Sequence, residues 1–234
     1  MTDPARDAPL ASAYARWRAS TLGRITDELQ QRLLLDLIGE VRGARVLDVG
    51  CGDGALAIEL AGRGASVSGV DKDGGALEAA RVRADRAGVT LHLRKGGAAA
   101  LPFEDAAFDR VIAVTVLCFV PDPDQAIGEM ARVLKPGGRL VIGELGRWNL
   151  WATQRRIAGW LGNPVWRAAH FRTGAGLRDL ARRQGLNVRD TRGATFYPPF
   201  GAAASAMARL DPCLGRRTTL GAAFIAVAAE KPGR

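Results

Sequence analysis

A chain of 234 residues, 47% hydrophobic and 24% charged, is long enough to bury a substantial core. No apolar run reaches the roughly 18 residues of a membrane span, and the opening MTDPARDAPL lacks the basic, apolar and small-residue order of a signal peptide. The formal charge of +9 is concentrated: residues 147–192 hold ten arginines, no lysine, no glutamate and two aspartates, so +8 falls there and +1 elsewhere.

Helices are expected over residues 10–20 and 24–40. In the second, Ile25, Leu29, Leu33, Leu37 and Val41 recur every four residues. A short apolar strand at 44–50 leads through a glycine-rich turn into a helix at 53–64. A strand at 65–71 precedes a helix at 73–88, for which Asp73 is a suitable cap. Strands follow at 89–95 and 108–117. DPD (122–124) resembles a metal pair but reads better as the start of a helix at 122–134, with Pro123 in its first turn. KPGG is a turn before a strand at 139–145. Beyond lie a basic helical segment at 149–184, a strand at 187–196, a helix at 201–210 and a last strand at 221–230.

Alternating strands and helices imply an α/β fold, with a mostly parallel sheet covered by helices on both faces. Ligands of such sheets sit beyond the carboxyl ends of the strands, where strand order reverses. The turn in RVLDVGCGDGALA (45–57) follows the first strand and lies there. Gly50, Gly52 and Ala55 match G-x-G-x-x-G/A, and Asp71 follows Gly50 by 21 residues, where an acid would hold a ribose. A nicotinamide dinucleotide is therefore formally allowed. Asp48 argues against it, because a pyrophosphate on the following helix would meet a carboxylate at short range. S-adenosylmethionine fits better. Its carboxylate suits the glycine amides and the helix N-terminus, its ammonium suits Asp48, and its ribose hydroxyls suit the two acceptor oxygens of Asp71.

The stretches VLDVGCGDG (46–54), VSGVD (67–71), LPFEDAAFDRVIAV (101–114) and MARVLKPGGRLVIGEL (130–145) come in one order and spacing. With them the chain resembles the class I S-adenosylmethionine-dependent methyltransferases, type 11 group. The resemblance implies a Rossmann-like three-layer sandwich around a seven-stranded sheet whose last strand is antiparallel. It implies that Asp48, Gly50, Cys51 and Gly52 line the amino-acid part of the cofactor, that Asp71 binds the ribose and that Lys72 flanks the adenine. Gly97 and Ala98 would meet the adenine edge, and Val114 and Thr115 the methionine portion. Two departures stand out. Gly97 replaces the acid usual in the family, and Phe119 stands near a position where many relatives have histidine, leaving no evident catalytic base. One methyltransferase domain is expected over 1–234. It comprises a helical cover (1–43), a cofactor-binding core (44–145), a basic Trp/Arg-rich substrate cover (146–186) and C-terminal strands (187–234).

The segment 147–172 carries Trp148, Trp151, Trp160 and Trp166. By spacing, Trp148, Trp151 and Arg155 share one helix face, while Trp160 and Trp166 are expected to pack the cover. A solvated basic face, an anionic small substrate and contact with RNA or an anionic membrane all suit it. Candidate substrate contacts are Tyr14, Trp17, Phe119, Glu144, Arg147, Trp148, Trp151, His170 and Tyr197, with Glu144 expected to face the crevice. Cys51, Cys118 and Cys213 show no metal spacing and are expected as inert or buried groups.

The reaction expected is in-line transfer of methyl to an oxygen, sulfur or nitrogen nucleophile of an anionic or hydrophobic small molecule, without a metal. A nicotinamide-dependent oxidoreductase and a non-catalytic cofactor-binding protein are the alternatives; the missing Tyr-x-x-x-Lys pair speaks against the first. Nucleic acid is disfavoured, because AVTVLCFVPDPD (113–124) replaces the Asn-Pro-Pro-aromatic motif of base-modifying relatives. Peripheral contact with membrane or lipid stays open, since residues 196–217 suit an apolar, basic surface helix. The expected location is cytoplasmic.

Overall fold

A computed structural model describes residues 17–233. Helix α1 (Thr21–Ile38) starts where the Ser20 hydroxyl accepts the Gly23 amide, and buries Leu29, Leu34 and Leu37. Then come β1 (Arg45–Val49), α2 (Ala55–Gly62), β2 (Ser66–Asp71), α3 (Gly74–Ala87), β3 (Leu91–Lys95) and β4 (Phe108–Val114). Asp73 caps α3 through the Gly75 amide, and Asp122 caps α4 (Pro123–Val133) through the Gln125 amide. Strand β5 (Leu134–Leu145) follows, then α5 (Leu150–Trp160), α6 (Pro164–Ala168), α7 (Gly174–Arg183), β6 (Asn187–Ala194), α8 (Gly201–Met207), α9 (Asp211–Arg217) and β7 (Phe224–Glu230).

The seven strands form one sheet in the order β3-β2-β1-β4-β5-β7-β6. Strand β7 runs antiparallel to both neighbours and the other pairings are parallel, as the resemblance implied. Both faces are covered, so central strands are apolar without alternation. On one face Leu47, Val111 and Ile142 pack with Ile127 and Met130 of α4 and Leu177 and Leu180 of α7. On the other, Val46, Ile112 and Val141 pack with Leu34 and Leu37 of α1 and Ala57 and Leu60 of α2. The order of strands reverses between β1 and β4, which opens a crevice at their carboxyl ends.

Several boundaries differ from the sequence expectation. The basic segment 149–184 is three helices rather than one. Asn163 accepts the Val165 and Trp166 amides and restarts the chain at Pro164, which has no amide to continue α5. The second break is held by sheet-like bonds. His170 N donates to Cys118 O and Arg172 N to Leu145 O, both at 2.9 Å, so residues 170–172 lie along the ends of β4 and β5. Strand β5 begins at Leu134, before KPGG, with a register shift between Phe108 and Arg110 that absorbs the turn. The helix expected at 201–210 ends at Met207 as α8, and residues 196–217 hold two short helices, α8 and α9, rather than one surface helix. Of the helix expected at 10–20, residues 10–16 lie outside the described residues.

Candidate functional site at the carboxyl ends of β1 and β4

The turn after β1 holds its shape through glycine. Gly50, Gly52 and Gly54 have φ of 70°, 52° and 76°, values that side-chain-bearing residues rarely adopt. A Cβ on Gly50 would also stand 2.4 Å from Val116 Cγ2. The Gly50 and Cys51 amides both donate to Val70 O, at 2.7 and 3.1 Å, closing the turn against β2. The side of Gly52 is open, with nothing within 4 Å of a built Cβ.

Above this turn lies a cavity of about 870 Å³, floored by Asp48, Gly50, Cys51, Gly52, Val114 and Thr115 and walled by Arg18, Asp27, Gln30, Gln31 and Leu34. The volume falls within the roughly 300–1,000 Å³ of small-molecule sites. Asp48 is 3% exposed. No hydrogen bond from the described residues reaches its carboxyl, and burial, reinforced by Asp71, pushes its pKa up to about 7. A buried acid left without a partner at a cavity wall is matched by a cationic group. Asp71 is not one of the lining residues and adjoins the cavity through Gly52. Its Oδ2 accepts the Gly52 amide and its Oδ1 the Asp73 amide, both at 2.9 Å. Each oxygen keeps a second lone pair for a hydroxyl donor. Thr115 takes φ 56° at the end of β4, held there by its amide donating to Gly143 O at 2.7 Å. These donors and acceptors fit S-adenosylmethionine: acceptors for ammonium and ribose, and amides with a helix N-terminus for a carboxylate.

Six of the ten cofactor residues read from the sequence thus share the cavity wall. Lys72 is exposed beside Asp71. Gly97 bridges to Ala100 and Ala98 packs against the core, in a segment tied to β2 by Gly96 N donating to Asp71 O at 3.0 Å. Sequence reasoning missed Arg18, Asp27, Gln30 and Gln31. Arg18 pairs with Asp27 at 2.9 Å and Asp53 at 3.5 Å, and Arg83 also pairs with Asp53, so a charged network spans the cavity mouth.

The candidate substrate contacts divide. Tyr14 lies outside the described residues. Phe119, Arg147, Trp148 and His170 are exposed at the ends of β4 and β5. Trp148 precedes α5 and stacks on Arg147, whereas Trp151 faces inward, so the two do not share a helix face. Trp151 Nε1 donates to Tyr197 O at 2.8 Å, the Tyr197 and Thr26 hydroxyls lie 3.0 Å apart, and Trp17 meets Trp151 edge-on. Trp17, Trp151 and Tyr197 therefore pack α1 against α5 and α8. Glu144, expected at the crevice, is fully buried under residues 116–118 and 170–172. Its Oε1 accepts the Leu117 amide at 2.6 Å, its Oε2 is unpartnered among the described residues, and burial pushes its pKa to about 7. Trp160, expected as packing, is 82% exposed, and Cys213 is exposed; Trp166 is half-buried beneath Arg155.

Residues 47–142 match the family described as Methyltransferase domain. The chain is 39% identical over 146 residues to Methyltransferase GfsG of Streptomyces halstedii, a match spanning 61% of this chain and 48% of that relative. It is 30% identical over 217 residues to a ubiquinone biosynthesis O-methyltransferase of Cereibacter sphaeroides, covering 84% of this chain and 87% of the relative. In structure it is similar to a SAM-dependent methyltransferase of Thermotoga maritima, with a TM-score of 0.73 and 24% identity over 96% of this chain and 98% of the other.

Proposed function

The chain belongs to the class I S-adenosylmethionine-dependent methyltransferases, and on that premise we propose that it transfers the cofactor's methyl group to a small anionic or hydrophobic acceptor. The observation that carries the cofactor assignment is Asp48: a buried, unpartnered carboxyl on the cavity floor opposes a pyrophosphate and suits an ammonium. When bound, S-adenosylmethionine supplies an electrophilic methyl carbon on a sulfonium.

The remaining chemistry belongs to this chain's residues. Asp48 holds the ammonium side. The Gly50–Gly52 turn and the start of α2 receive the carboxylate. Asp71 takes the ribose hydroxyls, Lys72 flanks the adenine, Gly97 and Ala98 border it through backbone, and Val114 and Thr115 line the methionine chain. Positioning the acceptor in line with the breaking bond provides most of the rate. Exclusion of water helps, because charge is neutralised as an anion attacks.

The acceptor side favours an anion. Residues 145–178 contain six arginines and no acidic residue, and Arg147, Trp148, Phe119 and His170 border the ends of β4 and β5. An acceptor arriving as a phenolate, enolate, carboxylate or thiolate needs no base. The O-methyltransferase name of the Cereibacter relative favours an oxygen nucleophile. The test is formation of S-adenosylhomocysteine from S-adenosylmethionine against a panel of acidic phenols, carboxylates, thiols and amines. Turnover confined to acceptors ionised at the assay pH is expected. Binding of cofactor without turnover on any acceptor would leave a non-catalytic binding protein.

A further inference from the structure

We propose that the outward stripe of α5, ending in Trp160 and Leu161, docks the chain on an anionic lipid bilayer surface. Leu150 and Ile157 on one side of α5 and Leu161, the residue that caps its end, follow one another at helical spacing, with Trp160 beside them. Their exposures are 60%, 46%, 83% and 82%. The opposite side of the helix is already committed. Trp151 and Ala152 are buried, and Gly159 lies so close to the next helix that a Cβ would stand 3.0 Å from Arg167 N. Large apolar side chains grouped on an exposed helix face mark a contact surface rather than ordinary scatter.

The charge around the stripe selects the occupant. Between residues 145 and 178 every charged side chain is an arginine. Arg156 stacks between Trp148 and Phe171, with 6.0 and 5.0 Å to the ring centroids. Stacked guanidiniums keep their donors beside an apolar surface, where lipid phosphates lie next to acyl chains. A tryptophan-tipped apolar stripe with arginines alongside has the composition of an interfacial helix. A second copy of this chain would oppose arginine to arginine across a two-fold axis. A nucleic acid would satisfy the arginines but leave Leu150, Ile157 and Leu161 against a polar backbone. No helix among the described residues is long and apolar enough to cross a membrane, and the proposed contact lies along the surface. The helix begins shortly after the carboxyl end of β5, so the docked face adjoins the acceptor side. The proposal rests on exposure and charge, not on the methyl-transfer reading.

The experiment is sedimentation of the full chain with vesicles of equal parts phosphatidylglycerol and phosphatidylcholine, against vesicles of phosphatidylcholine alone. Binding to the anionic vesicles at least about tenfold tighter than to the neutral ones, weakened by salt, is expected. The double variant Trp160→Ser/Leu161→Ser should weaken it about tenfold or more, with melting temperature and S-adenosylhomocysteine binding unchanged. These controls separate loss of docking from loss of fold or of the cofactor site. Four results would overturn the proposal. They are no binding to anionic vesicles, binding undiminished in the double variant, a dimer that the variant dissociates without any vesicle binding, and equal or tighter binding to a single-stranded RNA.

Discussion

Asp71, at the end of β2, adds to the cost of ionising Asp48 on the adjacent strand β1, where burial already holds the carboxyl at a pKa of about 7. The two acids stand in different surroundings. Asp48 lies on the cavity floor without a partner among the described residues, and Asp71, outside the lining, has both oxygens on backbone amides. A cationic group bound beside Asp48 would therefore favour loss of its carboxyl proton.

Affinity for S-adenosylmethionine should consequently rise with pH. Below about pH 7 ligand binding must release the Asp48 proton, and the dissociation constant should increase by up to about tenfold per pH unit lost. Above pH 7 it should level off. Asp48→Asn should weaken binding and flatten this profile. Calorimetry in two buffers of different ionisation enthalpy would count the proton released at pH 6.

Stability of the ligand-free chain should move the other way. Asp48 and Glu144 are each raised to about 7 in the folded state, faced by Asp71 and Cys51 in the first case and by Cys118 and Arg172 in the second. The folded state binds protons that the unfolded state has released. This contribution is fully present below about pH 4, is lost between about 4 and 7, and is constant above that. Glu144→Gln should flatten its share of the slope in denaturant titrations across this range.

Gly50→Ala should lower stability by on the order of 2 kcal/mol, from its left-handed backbone and from the clash with Val116. Adding Val116→Ala should recover only the clash. Melting temperatures about 4–8 °C below the parent for the single variant, and intermediate for the double, would show both causes acting.

Much of this cleft is legible in the sequence because its chemistry is local. Asp48, Gly50 and Gly52 lie within five residues, and Asp71 sits at the end of the next strand, so one turn and one parallel register bring them together. Arg18, Asp27, Gln30 and Gln31 belong to no motif. They reach the cavity because Leu34 and Leu37 dock α1 on the sheet, a tertiary event without a local signature. Trp151 and Trp160 show the same limit. Spacing places tryptophans on a helix, but which of them turns inward depends on Tyr197, 46 residues away. The breaks in segment 149–184 had a partial signal in Asn163-Pro164. The second break is set by the bonds of His170 and Arg172 to β4 and β5, which no periodicity reports.

Tyr197→Phe separates packing from substrate contact. It removes one buried hydroxyl whose partner Thr26 keeps its bond to Leu22 O. A loss of about 1 kcal/mol and about 2–4 °C is expected, with cofactor affinity unchanged within about twofold. Turnover lost without a change in melting temperature would place Tyr197 at the acceptor instead.

Gly97→Asp should be tolerated and should tighten cofactor binding. Gly97 is exposed, and nothing stands within 4 Å of a built Cβ. The new carboxylate would supply the acceptor usual in the family for the adenine amino group. A gain of about threefold to tenfold in affinity corresponds to one added hydrogen bond.

The most direct test is a calorimetric titration of the purified chain with S-adenosylhomocysteine, beside a parallel titration with NADH. Binding of S-adenosylhomocysteine alone, at micromolar affinity and weakened by Asp71→Ala, is the expected result. No binding, or a preference for NADH, would contradict the assignment of Asp48, the glycine turn and Asp71 to this cofactor.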